Sequence, residues 1–135
     1  MVNSTVSGNQ GAGVAGAANT AGTIIHGTCV GFVASAGYNI ESPGDTCGLD
    51  QTTDRDGVGG GDLGLEPLAD NGGPTMTHAL LPTSVVAIDR IPEADCVDAD
   101  DEPLATDQRG VARPQGGRCD IGSVEMEAPP LSPSG

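Results

Sequence analysis

Residue types able to do chemistry fall in three stretches of this chain. The closing segment from Asp107 to Glu125, DQRGVARPQGGRCDIGSVE, sets Arg109 and Arg113 among Asp107, Asp120 and Glu125, with Asp89 upstream. An arginine fork grips a carboxylate through two parallel N–H groups, and it can equally satisfy backbone carbonyls at a loop crossing. The expectation is a structural clasp of Asp89, Asp107, Arg109, Arg113, Asp120 and Glu125 that ties an irregular segment down. The other stretches are acidic: Asp50, Asp54, Asp56 and Asp62 around DRDGVGGGD, then Asp98, Asp100, Asp101 and Glu102. Asp54, Asp56 and Gly57 fall at calcium-loop offsets, yet the first and last ligand positions of that loop would be Thr52 and Leu63. Ca²⁺ at Asp54 and Asp56 is therefore a minor candidate, and the adopted reading is a solvated loop with no cofactor.

Catalytic constellations are thin. Acid–base chemistry on a polysaccharide needs paired carboxylates or a tuned base, and this chain has no lysine and carries its carboxylates mainly in loops. His26 follows Ile25 in a strand pattern and His78 lies in THALL. Both read as ordinary strand residues rather than bases. No Ser-His-Asp order with a nucleophile elbow is present. The chain is expected to have no reaction of its own.

The elements that must position these residues are short. A chain of 135 residues has room for one domain. Its 22 glycines and 10 prolines argue against long helices, because each interior Gly costs about 1 kcal/mol and each Pro about 3. Phe32 and Tyr38 are the only aromatics, so the core is small and aliphatic. With 19 acidic residues against five arginines, the net charge of −14 repels phosphate backbones and anionic membranes. Nucleic-acid partners and membrane insertion by this segment are not expected, and no run approaches the ~20 apolar residues of a spanning helix.

Four cysteines without metal-type spacing point to disulfides and export. Three pairings are possible, and sequence alone does not choose among them. The local one, Cys29 with Cys47 and Cys96 with Cys119, is adopted because each bridge then staples one loop-rich half. Each closure would contribute roughly 3 kcal/mol in the chain-entropy model. No signal peptide opens the chain, and Met1-Val2 leads straight into what reads as the middle of a fold. The expectation is the C-terminal part of a longer exported protein.

In chain order, Asn3–Asn9 (NSTVSGN) is a short β-branched run, followed by a Gly/Ala-rich passage from Gly11 to Gly22. Thr23–Thr28 (TIIHGT) is the best strand candidate of the first third, and GFVASAGYNI from Gly31 to Ile40 supplies one or two more. Strands this short, between Gly and Asn turns, suit a solenoid better than a sandwich, because coil-to-coil pairing needs no large core.

NSTVSGN resembles the coil signature of secreted right-handed parallel β-helix proteins of the pectate-lyase-like kind. SAGYNIESPGDTCGL, LADNGGPTMTHALLP, AID, DQRG, RPQG and CDIGSVE are similar, in that order, to the C-terminal region of bacterial choice-of-anchor Q domain proteins. The resemblance spans about Asn3 to Glu125. It departs at Thr83–Asp89 (TSVVAID), where the family pattern has a Gly-Ser-Pro-Ala-Ile-Asp type of sequence. It implies an all-β fold: short right-handed parallel β-helix coils over 1–50, an irregular loop-rich C-terminal cap over 51–126, and a Pro/Ser linker tail over 127–135.

Asn71-Gly72-Gly73-Pro74 reads as a turn in which Asn and Gly tolerate positive φ and Pro74 makes Gly73 extended. MTHALL after it reads as a strand turning Met76, Ala79 and Leu81 or their neighbours inward to cover the open solenoid end, since uncapped edges invite association. The functional expectation is a non-catalytic end and cap of an exported or cell-surface bacterial β-helix, in contact with upstream coils of its parent chain. Polysaccharide or a host surface is the implied outside partner, with self-association through the N-terminal edge. The alternatives are a fragment of a β-helix polysaccharide lyase or hydrolase with its catalytic residues mostly upstream, and a calcium-dependent adhesion module.

Overall fold

The computed structural model describes residues 1–126 apart from Gln10, Phe32, Ala99 and Gly116. The expected linker tail, 127–135, lies outside the described residues. Short strands carry the chain: β1 Thr5–Ser7, β2 Val14–Ala15, β3 Ala18–Thr20, β4 Ile24–His26, β5 Cys29–Val30, β6 Val33–Ser35, β7 Ile40–Ser42, β8 Ile91–Pro92 and β9 Arg118–Cys119. Helix among the described residues is confined to α1, Gly60–Leu63, and a 3-10 turn at Glu93–Asp95. The fold is all-β, as the glycine and proline content requires. None of the described helices is long and apolar enough to cross a membrane. The Gly/Ala-rich passage, unassigned from sequence, holds β2 and β3.

Strands β1 to β7 form three small parallel sheets, ordered β1-β4-β7, β2-β5 and β3-β6. The chain visits the three sheets in turn and comes back to each one strand further on. Thr5 thus faces Ile24 and Ile24 faces Ile40, Val14 faces Cys29, and Ala18 faces Val33. A single parallel bridge from Ile40 to Arg55 extends the stack beyond β7, and another, Val2 to Ala21, lengthens the contact between the turns of β1 and β4.

Corners are stacked as well as strands. Two residues before Thr5, Ile24 and Ile40 stand Asn3, Gly22 and Tyr38, with φ of 43, 59 and 59°. Asn and Gly adopt this left-handed conformation readily, whereas Tyr does so at roughly 1–2 kcal/mol. Tyr38 is held there from two sides: its N–H donates to Thr53 Oγ1 at 3.0 Å and its hydroxyl to Asp95 Oδ2 at 3.0 Å. At another corner Gly31 lies against Gly16, and a Cβ on Gly31 would stand 2.5 Å from the Gly16 carbonyl oxygen. Only glycine lets those two coils approach.

Adjacent residues of β4 serve opposite faces, as a strand's two-residue period dictates. Ile25 turns inward to Val14, Cys29, Val33 and Cys47. Ile24 joins Ile40, Ile91, Cys96, Cys119 and Ile121 in a separate cluster on the other face. Both isoleucines have no exposed surface.

Residues 87–125, which fold back as a strap, supply Ala87, Ile91, Cys96, Cys119 and Ile121 of that outer cluster, and Val58, Leu63 and Leu80 join it from the chain before them. β8 and β9 pair antiparallel within the strap. The strap touches consecutive turns of the chain: Ser123 N donates to Thr5 Oγ1 at 2.9 Å, Gly122 N to the Gly22 carbonyl at 2.8 Å, and Tyr38 reaches Asp95. Val86, Arg90 and Ile121 share a cleft with Thr53 and Arg55. This part of the chain runs along the side of the β1-β4-β7 sheet, where Ile24 and Ile40 present an apolar ladder.

MTHALL is not the strand expected. It makes two antiparallel bridges, Thr77 with Ala69 and Leu80 with Leu65. Thr77 and Leu80 are the buried positions, while Met76 is 54% exposed and Ala79 and Leu81 are half-buried. The three-residue spacing of the bridges sets which side chains face in. In the preceding turn the positive φ values belong to Gly72 (99°) and Gly73 (77°). Gly73 is therefore left-handed rather than ordinary extended backbone, and a Cβ there would stand 2.7 Å from Arg109 Cα. Asn71 contributes its side chain, donating to the Thr77 carbonyl and hydroxyl.

Candidate functional site

The strap closes on a buried arginine–carboxylate cluster. Its first half is a tight turn at 107–111. Asp107 Oδ1 accepts the N–H groups of Arg109 (2.8 Å) and Val111 (3.0 Å), a pattern that lets a short acidic side chain replace backbone pairing. Asp107 Oδ2 accepts Arg109 Nε (3.0 Å) and Nη2 (2.8 Å) together with the Glu125 N–H (2.8 Å). Burial pushes the Asp107 carboxyl up, but the N–H of Glu125, the Arg109 guanidinium and the N–H groups of Val111 and Arg109 outweigh it and hold it below its ordinary value. Arg109 Nη2 also reaches the Glu125 carbonyl at 2.6 Å. It grips one carboxylate oxygen and one carbonyl rather than making a two-oxygen fork.

Arg113 fills the second half. Nη1 donates to Glu125 Oε1 at 3.3 Å and to the Asp120 carbonyl at 3.2 Å, and Nη2 to the Gly122 carbonyl at 2.8 Å. Its Nε is buried without a partner. Burial lowers the affinity of this guanidinium for its proton, against the opposing pull of Glu125, Asp107 and Asp120. Glu125 has no exposed surface and Asp120 almost none. Glu125 accepts the N–H groups of Asp120 (2.9 Å) and Gln115 (3.2 Å). Asp120 accepts those of Asp89 (2.7 Å) and Met126 (2.6 Å).

Burial pushes the Glu125 carboxyl up to about 7, with the Asp120 charge beside it adding to the rise against the pull of N–H donors and Arg113. Asp120 is raised as well, by burial above all, against the N–H groups of Asp89 and Met126, with the Asp89 charge adding to the rise and Arg113 opposing it. One oxygen of each of Asp89, Asp120 and Glu125 lies within 4.8 Å of the others. Each oxygen of Asp120 and Glu125 already accepts a protein N–H, which is the satisfaction buried carboxylates require. Asp89 is exposed with φ 55°, and it joins through its backbone N–H rather than through an arginine pair. The structure thus brings all six expected clasp residues together, in roles the sequence did not distinguish.

The cysteines are bonded locally. Cys29–Cys47 has a Cα separation of 4.8 Å and lies in the coil core, and Cys96–Cys119, at 6.1 Å, lies in the outer cluster. Two carboxylates of the acidic loops accept hydrogen bonds from protein donors. Asp54 accepts Asn39 N, Asn39 Nδ2, Ser35 Oγ and Gln51 N. Asp98 Oδ1 accepts the N–H groups of Asp100 and Glu102. Asp54 and Asp56 belong to no close carboxylate group among the described residues. His26 Nδ1 meets Ser7 Oγ at 3.2 Å, and His78 Nδ1 donates to the Glu66 carbonyl at 2.8 Å.

Two buried polar residues escaped the sequence reading. Glu41, with no exposed surface, accepts Thr46 N (2.6 Å), Thr46 Oγ1 (2.7 Å) and Cys47 N (2.8 Å), shaping the loop that carries the first disulfide. Asn39 is equally buried and bonds Thr20 and Thr23 of the coil before it. A lone carboxylate between Ile40 and Ser42 in a strand pattern was the available signal for Glu41. Chemically, the cluster can hold protons and fix a chain path. No protein-family model, curated protein or solved structure matches this chain.

Proposed function

We propose that the three stacked sheets are coils of a right-handed parallel β-helix and that the chain is a non-catalytic structural end of an exported bacterial surface protein. One observation carries the reading: every strand of the first seven pairs in parallel with a strand about one circuit away, over three sheets visited in a fixed order. Such pairing leaves β1, β2 and β3 at the edges of their sheets, where further coils of a parent chain would stack. The resemblance to choice-of-anchor Q domain proteins supports the same reading from the sequence side. Two disulfides point to an oxidising compartment, and export to the cell surface is the setting proposed.

The work of the piece is mechanical: it ends the coil stack, stiffens its side with the strap, and contacts polysaccharide or another surface. Incubation with a panel of plant and bacterial polysaccharides tests this, with new reducing ends and unsaturated uronide absorbance measured beside pull-down of the insoluble glycans. Retention without bond cleavage is expected. Cleavage by the purified chain would overturn the non-catalytic reading.

A further inference from the structure

Asp120 and Glu125 are held side by side by the strap's own backbone, each with its oxygens directed into protein. The charged groups around them come from four places. Arg113 contacts Glu125, Asp89 lies against Asp120, and Asp107 and Arg109 sit across the turn with Arg109 committed to Asp107. The coil side offers Asn3, whose amide donates to the Asp120 carbonyl, and Thr5 against Ser123; neither titrates. With both carboxyls ionised, two buried anions would face one contacting cation. We propose that the Asp120–Glu125 pair carries one proton in the closed state, and that this proton is a latch which keeps the strap on the outer ladder of the sheet and loosens it when lost.

The sign follows from the raised Glu125 carboxyl. A carboxyl that binds its proton more tightly in the closed state stabilises that state most below its ordinary value, near 4.5. The stabilisation is lost as pH rises to about 7, and beyond that it is flat. Asp107 acts in the opposite sense, weakening the turn only where pH falls through its depressed value. The latch therefore closes in mild acid and slackens toward neutrality. It concerns the strap and sheet alone and stands whether or not the coils continue into a longer β-helix.

Amide hydrogen exchange on the full chain tests it, corrected for intrinsic exchange, between pH 5 and 8. Protection of the Gly122 N–H, bonded to Gly22, and of the Ser123 N–H, bonded to Thr5, is expected to fall up to pH 7 and then level. One proton limits the fall to about tenfold per pH unit. Coil amides such as Gly27 and Ala36 should keep their protection. Glu125→Gln, neutral at every pH, should remove the slope. A flat wild-type profile, or a slope that survives in Glu125→Gln, overturns the latch. Should that variant not fold, a wild-type carbon NMR titration placing the Glu125 midpoint near 4.5 overturns it equally.

Discussion

The inner and outer faces of the β1-β4-β7 sheet are stabilised by different physics, although one residue separates them in sequence. Inside, Ile25 meets Val14, Val33 and the Cys29–Cys47 bridge, and the polar groups present are used coil to coil, as Asn39 is with Thr20 and Thr23. Outside, Ile24 and Ile40 pack on Ile91 and Ile121, but the strap that carries them is fixed by one buried arginine, one half-buried arginine and three buried carboxylates. The inner layer repeats, so each contact is supported by its neighbour above or below. The outer layer occurs once and depends on charges that lose stability if one partner goes. A repeating layer tolerates local loss; a single layer transmits it.

Breaking the charged layer should have the largest effect. Arg113→Ala removes the cation against Glu125 and leaves buried carboxylates uncompensated, a loss of about 3–5 kcal/mol. The comparison requires amides of 87–125 to exchange faster in that variant while those of β4 and β7 hold; uniform loss in both would mean one cooperative core. Next come Ile24→Ala and Ile25→Ala, each costing about 2–5 kcal/mol by denaturant titration. Their exchange maps should separate, with Ile24→Ala loosening the strap and Ile25→Ala the coils.

Gly31→Ala probes the inner layer's close approach, forcing a methyl against the Gly16 carbonyl in a left-handed corner. Its expected cost is above about 1 kcal/mol, read as a lower melting temperature with the Glu125 titration unchanged. Arg109→Ala should lower melting by a smaller amount than Arg113→Ala, because Arg109 is more exposed and Asp107 keeps three backbone N–H donors. The smallest change is Tyr38→Phe, which deletes one hydrogen bond to Asp95 worth about 1 kcal/mol and should free only the loop around Asp95.

The parts of this architecture with local causes were legible in sequence. Strands β1, β4 and β6 fall within Asn3–Asn9, Thr23–Thr28 and Gly31–Ile40, where β-branched and small residues precede Gly turns, and the arginine–carboxylate cluster announced itself by composition. What was not legible depends on contacts distant in sequence. β2 and β3 lie in a Gly/Ala passage with little strand propensity, and they form because β5 and β6 lie beside them. MTHALL looked like a buried strand, but its partner Leu65–Ala69 selects Thr77 and Leu80 as the inward residues. The strap's route was hidden for the same reason: Ile24 and Ile25 look identical in a sequence, and only the third dimension sends one to each side. Glu41 and Asn39 were passed over because an acidic or amide residue normally implies a surface, and here each replaces missing backbone partners.

The strap also acts as a ruler. It is anchored at Thr5, at Gly22 and at Tyr38, one point on each of three successive turns of the chain. A repeat protein ordinarily gains or loses whole turns with little penalty, because every interface resembles the next. Here an extra turn inserted between Thr5 and Tyr38 would move the anchors apart by one strand spacing, roughly 4.8 Å, while the strap's length stayed the same. The stretch from Thr5 to Tyr38 is thus fixed in turn number by a segment that belongs to none of the turns.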